Sequence, residues 1–65
     1  MLKRNTLKDF RKKENLTQQE LADKLEISLI QYQFIELGRR NPSFDVLKKF
    51  KSVFPKASID KIFLN

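Results

Sequence analysis

Apolar positions along this chain recur with a helical beat. Leu7, Phe10 and Arg11 fall at i, i+3 and i+4, one face of a helix running from about Leu2 or Asn5 to Glu14. Asn15 follows, a residue that tolerates the left-handed conformation in which helices often end. Leu21, Ala22 and Leu25 form the buried face of a second helix, Gln18–Leu25, with Asp23 and Glu26 outward. A third is predicted over Leu29–Leu37. Ser43 caps a fourth that reaches about Phe54, with Val46, Leu47, Phe50 and Phe54 inward and Lys48, Lys49 and Lys51 outward; Pro55 ends it. Ser58 caps a last helix, Ile59–Leu64, whose Ile59, Ile62 and Phe63 lie on one side. No segment has strand spacing. The pattern therefore predicts an all-α cluster of five short helices, one domain spanning residues 1–65.

Start and stop signals sharpen the middle of the chain. Thr17-Gln-Gln-Glu20 is a capping box, in which hydroxyl and carboxylate satisfy orphan amides reciprocally. Ser28-Leu-Ile-Gln31 repeats the device. Leu16 with Leu21, and Ile27 with Tyr32, form hydrophobic staples across the two starts. Gly38, the only glycine, stands where a helix C-cap belongs. Two helices joined by only Glu26-Ile27-Ser28 make a helix-turn-helix.

The third helix carries more apolar residues than a core face needs. At 100° per residue, Gln31, Tyr32, Ile35 and Glu36 share one side. Leu29, Ile30, Gln33, Phe34 and Leu37 share the other, which holds one hydrogen-bonding side chain and no charge.

Composition narrows the chemistry. A chain of 65 residues buries only about 60% of the surface its unfolded form exposes. With no cysteine there is no disulfide and no thiolate metal site; with no histidine the commonest metal ligand and general base is missing. The eight carboxylates form no paired set, so the chain is expected not to be an enzyme and to need no cofactor. The formal charge of +6 points to a polyanion, nucleic acid before membrane. No long amphipathic helix with flanking lysines suits a membrane surface. Polar Asn5-Thr6 after Lys3-Arg4 argues against a leader peptide, and no apolar run approaches the ~20 residues that span a bilayer, so a cytoplasmic protein is expected.

The stretches "LTQQELADKLEIS" and "IELGRRNPSF" resemble the Cro and phage-repressor (XRE) family of helix-turn-helix regulators, over about Leu7 to Phe54 and into the "SIDKIF" tail. The chain looks most like short regulators of Gram-positive phages and mobile elements. The resemblance implies a five-helix fold of the lambda-repressor type that binds operator DNA, usually as a dimer. It makes the helix after Ser28 the recognition helix, set in the major groove while the helix after Thr17 crosses the backbone. It also implies an ion pair between Arg11 and Glu36, tying the first helix to the third. Two positions depart from the family pattern. Glu26 replaces the usual turn glycine and must adopt a left-handed or nearby conformation, and the outer face of the recognition helix is mostly apolar instead of polar.

These residues lead to two opposed expectations. If DNA lies on the outer face, base readout falls to Ser28, Leu29, Ile30, Gln33, Phe34 and Leu37. Gln33 then pairs with adenine, and the apolar side chains press on thymine methyls. Thr17, Gln18, Arg39, Arg40, Asn41 and Ser43 hold phosphates on either flank. If protein covers the face, Leu29, Ile30, Phe34 and Leu37 anchor a partner instead. Ile59, Ile62, Phe63 and Leu64 are expected either to form a dimer interface or to fold back on the helix of Leu47 and Phe50.

Overall fold

The computed structural model describes residues 5–63. Its five helices are α1 (Asn5–Lys13), α2 (Gln18–Leu25), α3 (Leu29–Glu36), α4 (Phe44–Val53) and α5 (Ile59–Phe63), with no strand among the described residues. The all-α architecture expected from the periodicity is the one observed. Three ends differ by a residue: α1 stops at Lys13, α3 at Glu36 and α4 at Val53. Lys3 and Arg4, and Leu64 of the tail, lie outside the described residues.

The helix ends explain the tight connections. The first three helices all close with a left-handed residue: Asn15 (φ 58°), Glu26 (φ 61°) and Gly38 (φ 78°). Each closure adds the same pair of bonds to orphan carbonyls. After α1, the amides of Asn15 and Leu16 donate to Lys12 and Arg11 carbonyls; after α2, those of Glu26 and Ile27 donate to Asp23 and Ala22; after α3, those of Gly38 and Arg39 donate to Ile35 and Phe34. α4 ends otherwise: Phe54, which precedes Pro55, leaves the helical region (φ −125°, ψ 74°), because the proline ring disfavours the α conformation in the residue before it.

The starts are built from side chains. Thr17 Oγ1 accepts from the Glu20 amide at 3.0 Å, and the Thr17 amide donates to Glu20 Oε1 at 2.8 Å, the full capping box. At α3 only the forward half forms: Ser28 Oγ accepts from the Gln31 amide at 3.0 Å. A neutral glutamine gains less at a positive helix start than the charged Glu20 does. Ser43 Oγ caps α4 by accepting from the Val46 amide at 3.2 Å.

The helices close around Leu7, Leu21, Ala22, Leu25, Tyr32, Ile35, Val46, Phe50, Ile62 and Phe63. Four phenylalanines knit the lower half: Phe10, Phe54 and Phe63 each meet another ring at 4.9–5.2 Å, with Phe50 among all of them. Thr6 Oγ1 donates to the Ile62 carbonyl at 2.6 Å and so ties α1 to α5. Of the tail's two expected fates, folding back is the one this packing adopts for Ile62 and Phe63. Both are buried in their own chain, Phe63 with its ring 5.0 Å from that of Phe50, which leaves little of either for a second copy. Ile59 is half-buried beside them.

A candidate nucleic-acid interface around the third helix

α3 divides as its periodicity predicts. Tyr32, Ile35 and Glu36 are buried, while Ile30, Phe34 and Leu37 expose 64%, 39% and 57% of their surface. Leu29 and Gln33 are half-buried between them, and Ser28 is exposed at the start. Three large apolar side chains exposed on one helix face mark a candidate interaction surface.

Arg11 and Glu36 meet beneath this face. Arg11 Nε donates to Glu36 Oε2 at 3.1 Å, and Nη2 reaches Oε1 at 3.4 Å. The two side chains are only 11% and 8% exposed. Arg11 Nη1 also donates to the Leu16 carbonyl at 2.9 Å, so one guanidinium joins α1, the approach to α2, and α3. Burial alone pushes the Glu36 carboxyl upward; the hydrogen bonds from Arg11 and Gln18, the nearby Tyr32 hydroxyl and the Arg11 charge outweigh it and hold the carboxyl below its ordinary value. The hydrogen bond to Glu36 raises Arg11 in turn. The Tyr32 hydroxyl is close enough to be pushed up by burial first and by Glu36 second. Its geometry, however, gives it no hydrogen-bond partner among the described residues.

Gln18 sits between the buried pair and the surface. Its Nε2 donates to Glu36 Oε1 at 3.2 Å, and its Oε1 accepts from Gln33 Nε2 at 3.1 Å. The residue expected on a phosphate therefore already holds two protein partners and keeps one N–H. Thr17 and Ser43 spend their oxygens as acceptors in caps and keep their hydroxyl protons for an outside acceptor. Arg39, Arg40 and Asn41 are exposed in the loop after α3, and neither arginine enters an ion pair among the described residues.

Two features of the surface have no periodic signal. Glu26 Oε2 lies 2.9 Å from Lys49 Nζ on α4, so the turn carboxylate has a counter-charge and Lys49 is not a purely solvated lysine. That pair, with the Lys49 hydrogen bond as the larger cause, lowers the Glu26 carboxyl. Phe44 is 74% exposed at the start of α4, with Lys48 Nζ 5.6 Å from its ring centre. A contact 23 positions apart, or one apolar residue at a helix start, leaves no repeating mark in a sequence.

The family model described as helix-turn-helix matches residues 7–62. Among curated proteins, an uncharacterized HTH-type transcriptional regulator of Archaeoglobus fulgidus is 39% identical over 61 residues, covering 94% of this chain and 84% of that protein. A second protein of the same description and organism is 36% identical over 61 residues, covering 94% and 86%. No solved structure matches. With the α2–turn–α3 geometry, the Arg11–Glu36 tie and a match over nearly the whole chain, the protein belongs to the helix-turn-helix family and has the five-helix form that its resemblance to Cro and phage repressors implies.

Proposed function

We propose that this chain is a sequence-specific double-stranded-DNA-binding transcriptional regulator, a repressor of the phage or mobile-element type that binds a palindromic operator as a dimer in the cytoplasm. The observation that carries the reading is the outward face of α3. It follows a three-residue turn whose Glu26 and Ile27 amides are bonded back to α2, and the exposed Arg39-Arg40 loop follows it in the chain. In the major groove, Gln33 is the one side chain there able to pair with a base in two directions, and Leu29, Ile30, Phe34 and Leu37 suit thymine methyls. Thr17, Ser43, Arg39, Arg40 and Asn41 hold the backbone. Repression is steric: an occupied operator excludes polymerase, and no catalytic step is required. From the tail, Ile59 keeps part of its side chain at the surface for a second copy.

Selection of random duplex DNA on the purified protein tests this directly. A palindromic, A·T-containing site with half-sites one helical turn apart is the expected product. The exposures of Ile30, Phe34 and Leu37 also favour a second reading, a helix-turn-helix fold that docks protein through this face. Failure to enrich any duplex, together with self- or partner association that shifts on Phe34→Lys, would establish that second reading over the first.

A further inference from the structure

Ile30, Phe34 and Leu37 fall at i, i+4 and i+7 and are all exposed, so they form one stripe along α3 and its C-cap. At about 1.5 Å per residue the stripe is roughly 10 Å long. Successive bases of a duplex rise by about 3.4 Å, so the stripe covers about three base pairs when α3 lies in the major groove. None of the three side chains carries a donor or an acceptor. They do not distinguish the O4 acceptor of thymine from the N4 donor of cytosine, and both groups lose water under such a face. What an apolar side chain does register is the methyl group on C5. Thymine carries that methyl group always, and cytosine carries it only when methylated. The surroundings of the stripe suit DNA. Arg39 and Arg40 follow it in the chain, exposed and outside any ion pair among the described residues, and the formal charge is +6. The apolar groups that a duplex turns toward a helix in its major groove are these C5 methyls.

We propose that this stripe reads the methylation state of pyrimidine C5 positions, and that duplex DNA carrying 5-methylcytosine is a ligand of this chain distinct from the same sequence unmethylated. A polar recognition face reads base identity through donors and acceptors, a pattern that C5 methylation of cytosine leaves unchanged. Here hydrogen bonding is left to Gln33, and the positions beneath Ile30, Phe34 and Leu37 are decided by methyl burial. Each methyl group covered by one of these side chains should strengthen binding about fourfold. Thymine and 5-methylcytosine are then equivalent under the stripe, and unmethylated cytosine is disfavoured. Occupancy of a cytosine-containing site follows its methylation. The inference deepens the proposed function and rests on α3 being the DNA-reading helix.

Duplex selection supplies the operator, and methyl exchange on it tests the inference. Replacing thymines singly by deoxyuridine, which removes only the methyl group, should weaken binding about fourfold beneath the stripe and leave it unchanged elsewhere. At those same positions a 5-methylcytosine·guanine pair should bind about fourfold tighter than cytosine·guanine. Ile30→Ala, at a site exposed enough to leave the core intact, should erase both differences at one position; Leu37→Ala should erase them at another. Equal affinity for thymine and deoxyuridine, or for methylated and unmethylated cytosine, at every position overturns the inference, while the enriched operator leaves the proposed function standing. Methyl differences that persist in both variants overturn it as well, because the methyl group is then sensed from elsewhere. If neither an unmethylated pool nor one built with 5-methylcytosine enriches any duplex, the proposed function fails and the inference with it.

Discussion

Arg11 shows how much can depend on one side chain. Its guanidinium is mostly buried and serves Glu36 and the Leu16 carbonyl at once, so a neutral substitute strands a carboxylate inside the fold. Arg11→Met should cost about 3–5 kcal/mol in denaturant unfolding; a loss below ~1 kcal/mol would place the pair with surface ion pairs. The same pair sets a pH dependence. Glu36 is held below its ordinary value of 4.5, so the unfolded chain binds its proton more readily than the folded one. The stability it contributes is complete above that ordinary value and is lost as the pH falls through the lower folded one. Unfolding midpoints of wild type and Glu36→Gln should therefore converge in acid and separate above about pH 5; a constant gap at every pH would dissociate the stability from this carboxylate. Glu26 is the opposite case, a left-handed non-glycine residue whose carboxylate meets Lys49 at the surface. Surface pairs contribute little and the left-handed region disfavours a Cβ. Glu26→Gly should accordingly raise Tm, by about 4 °C for a domain this small.

Among the elements, α3 is the one with divided loyalties. Its inner side is fastened by Tyr32, Ile35 and Glu36, and its ends by a serine cap and a glycine closure. Ser28→Ala should destabilise by about 1 kcal/mol, read by thermal unfolding, because it deprives the Gln31 amide of its acceptor. Gly38→Ala should cost at least about 1 kcal/mol, since φ 78° suits no Cβ. Much of this element was legible in advance. The two faces follow from counting at 100° per residue, and the caps from residue type. The turn length followed from the distance between the two starts. The Gln18–Gln33 bond was not legible, because both residues are polar, surface-compatible glutamines on different helices, 15 positions apart. Nothing in their spacing distinguishes a linked pair from two solvated ones. The left-handed Glu26 was foreseeable from its place in the turn, but its partner on α4 was not.

For the molecule as a whole, size and charge set the terms of DNA binding. The Cα envelope measures 27 × 23 × 23 Å, smaller than the ~34 Å between successive major-groove faces, so a single copy is too small to span two of them. Affinity should depend steeply on salt. If Arg39 and Arg40 each neutralise one phosphate, replacing both with alanine should make the slope of log K against log[salt] less steep by about 1.8 per bound copy, with base preferences unchanged. An unaltered slope would remove that loop from the interface.

Local rules therefore carried the amino-acid sequence a long way. Periodicity yielded five helices, and capping chemistry their boundaries to within a residue. These follow from interactions within a turn or two of chain, where spacing alone decides who meets whom. Tertiary packing decided the rest. It sent Ile62 and Phe63 into the core, Phe63 beside Phe50, because a short final helix gains from burying its apolar side chains. It gave Glu26 a counter-charge from α4, and it brought Gln18 between a buried carboxylate and the outer face of α3. Those three outcomes depend on side chains distant in sequence arriving at one place with compatible donors, acceptors and charges, and only the packed chain brings them together.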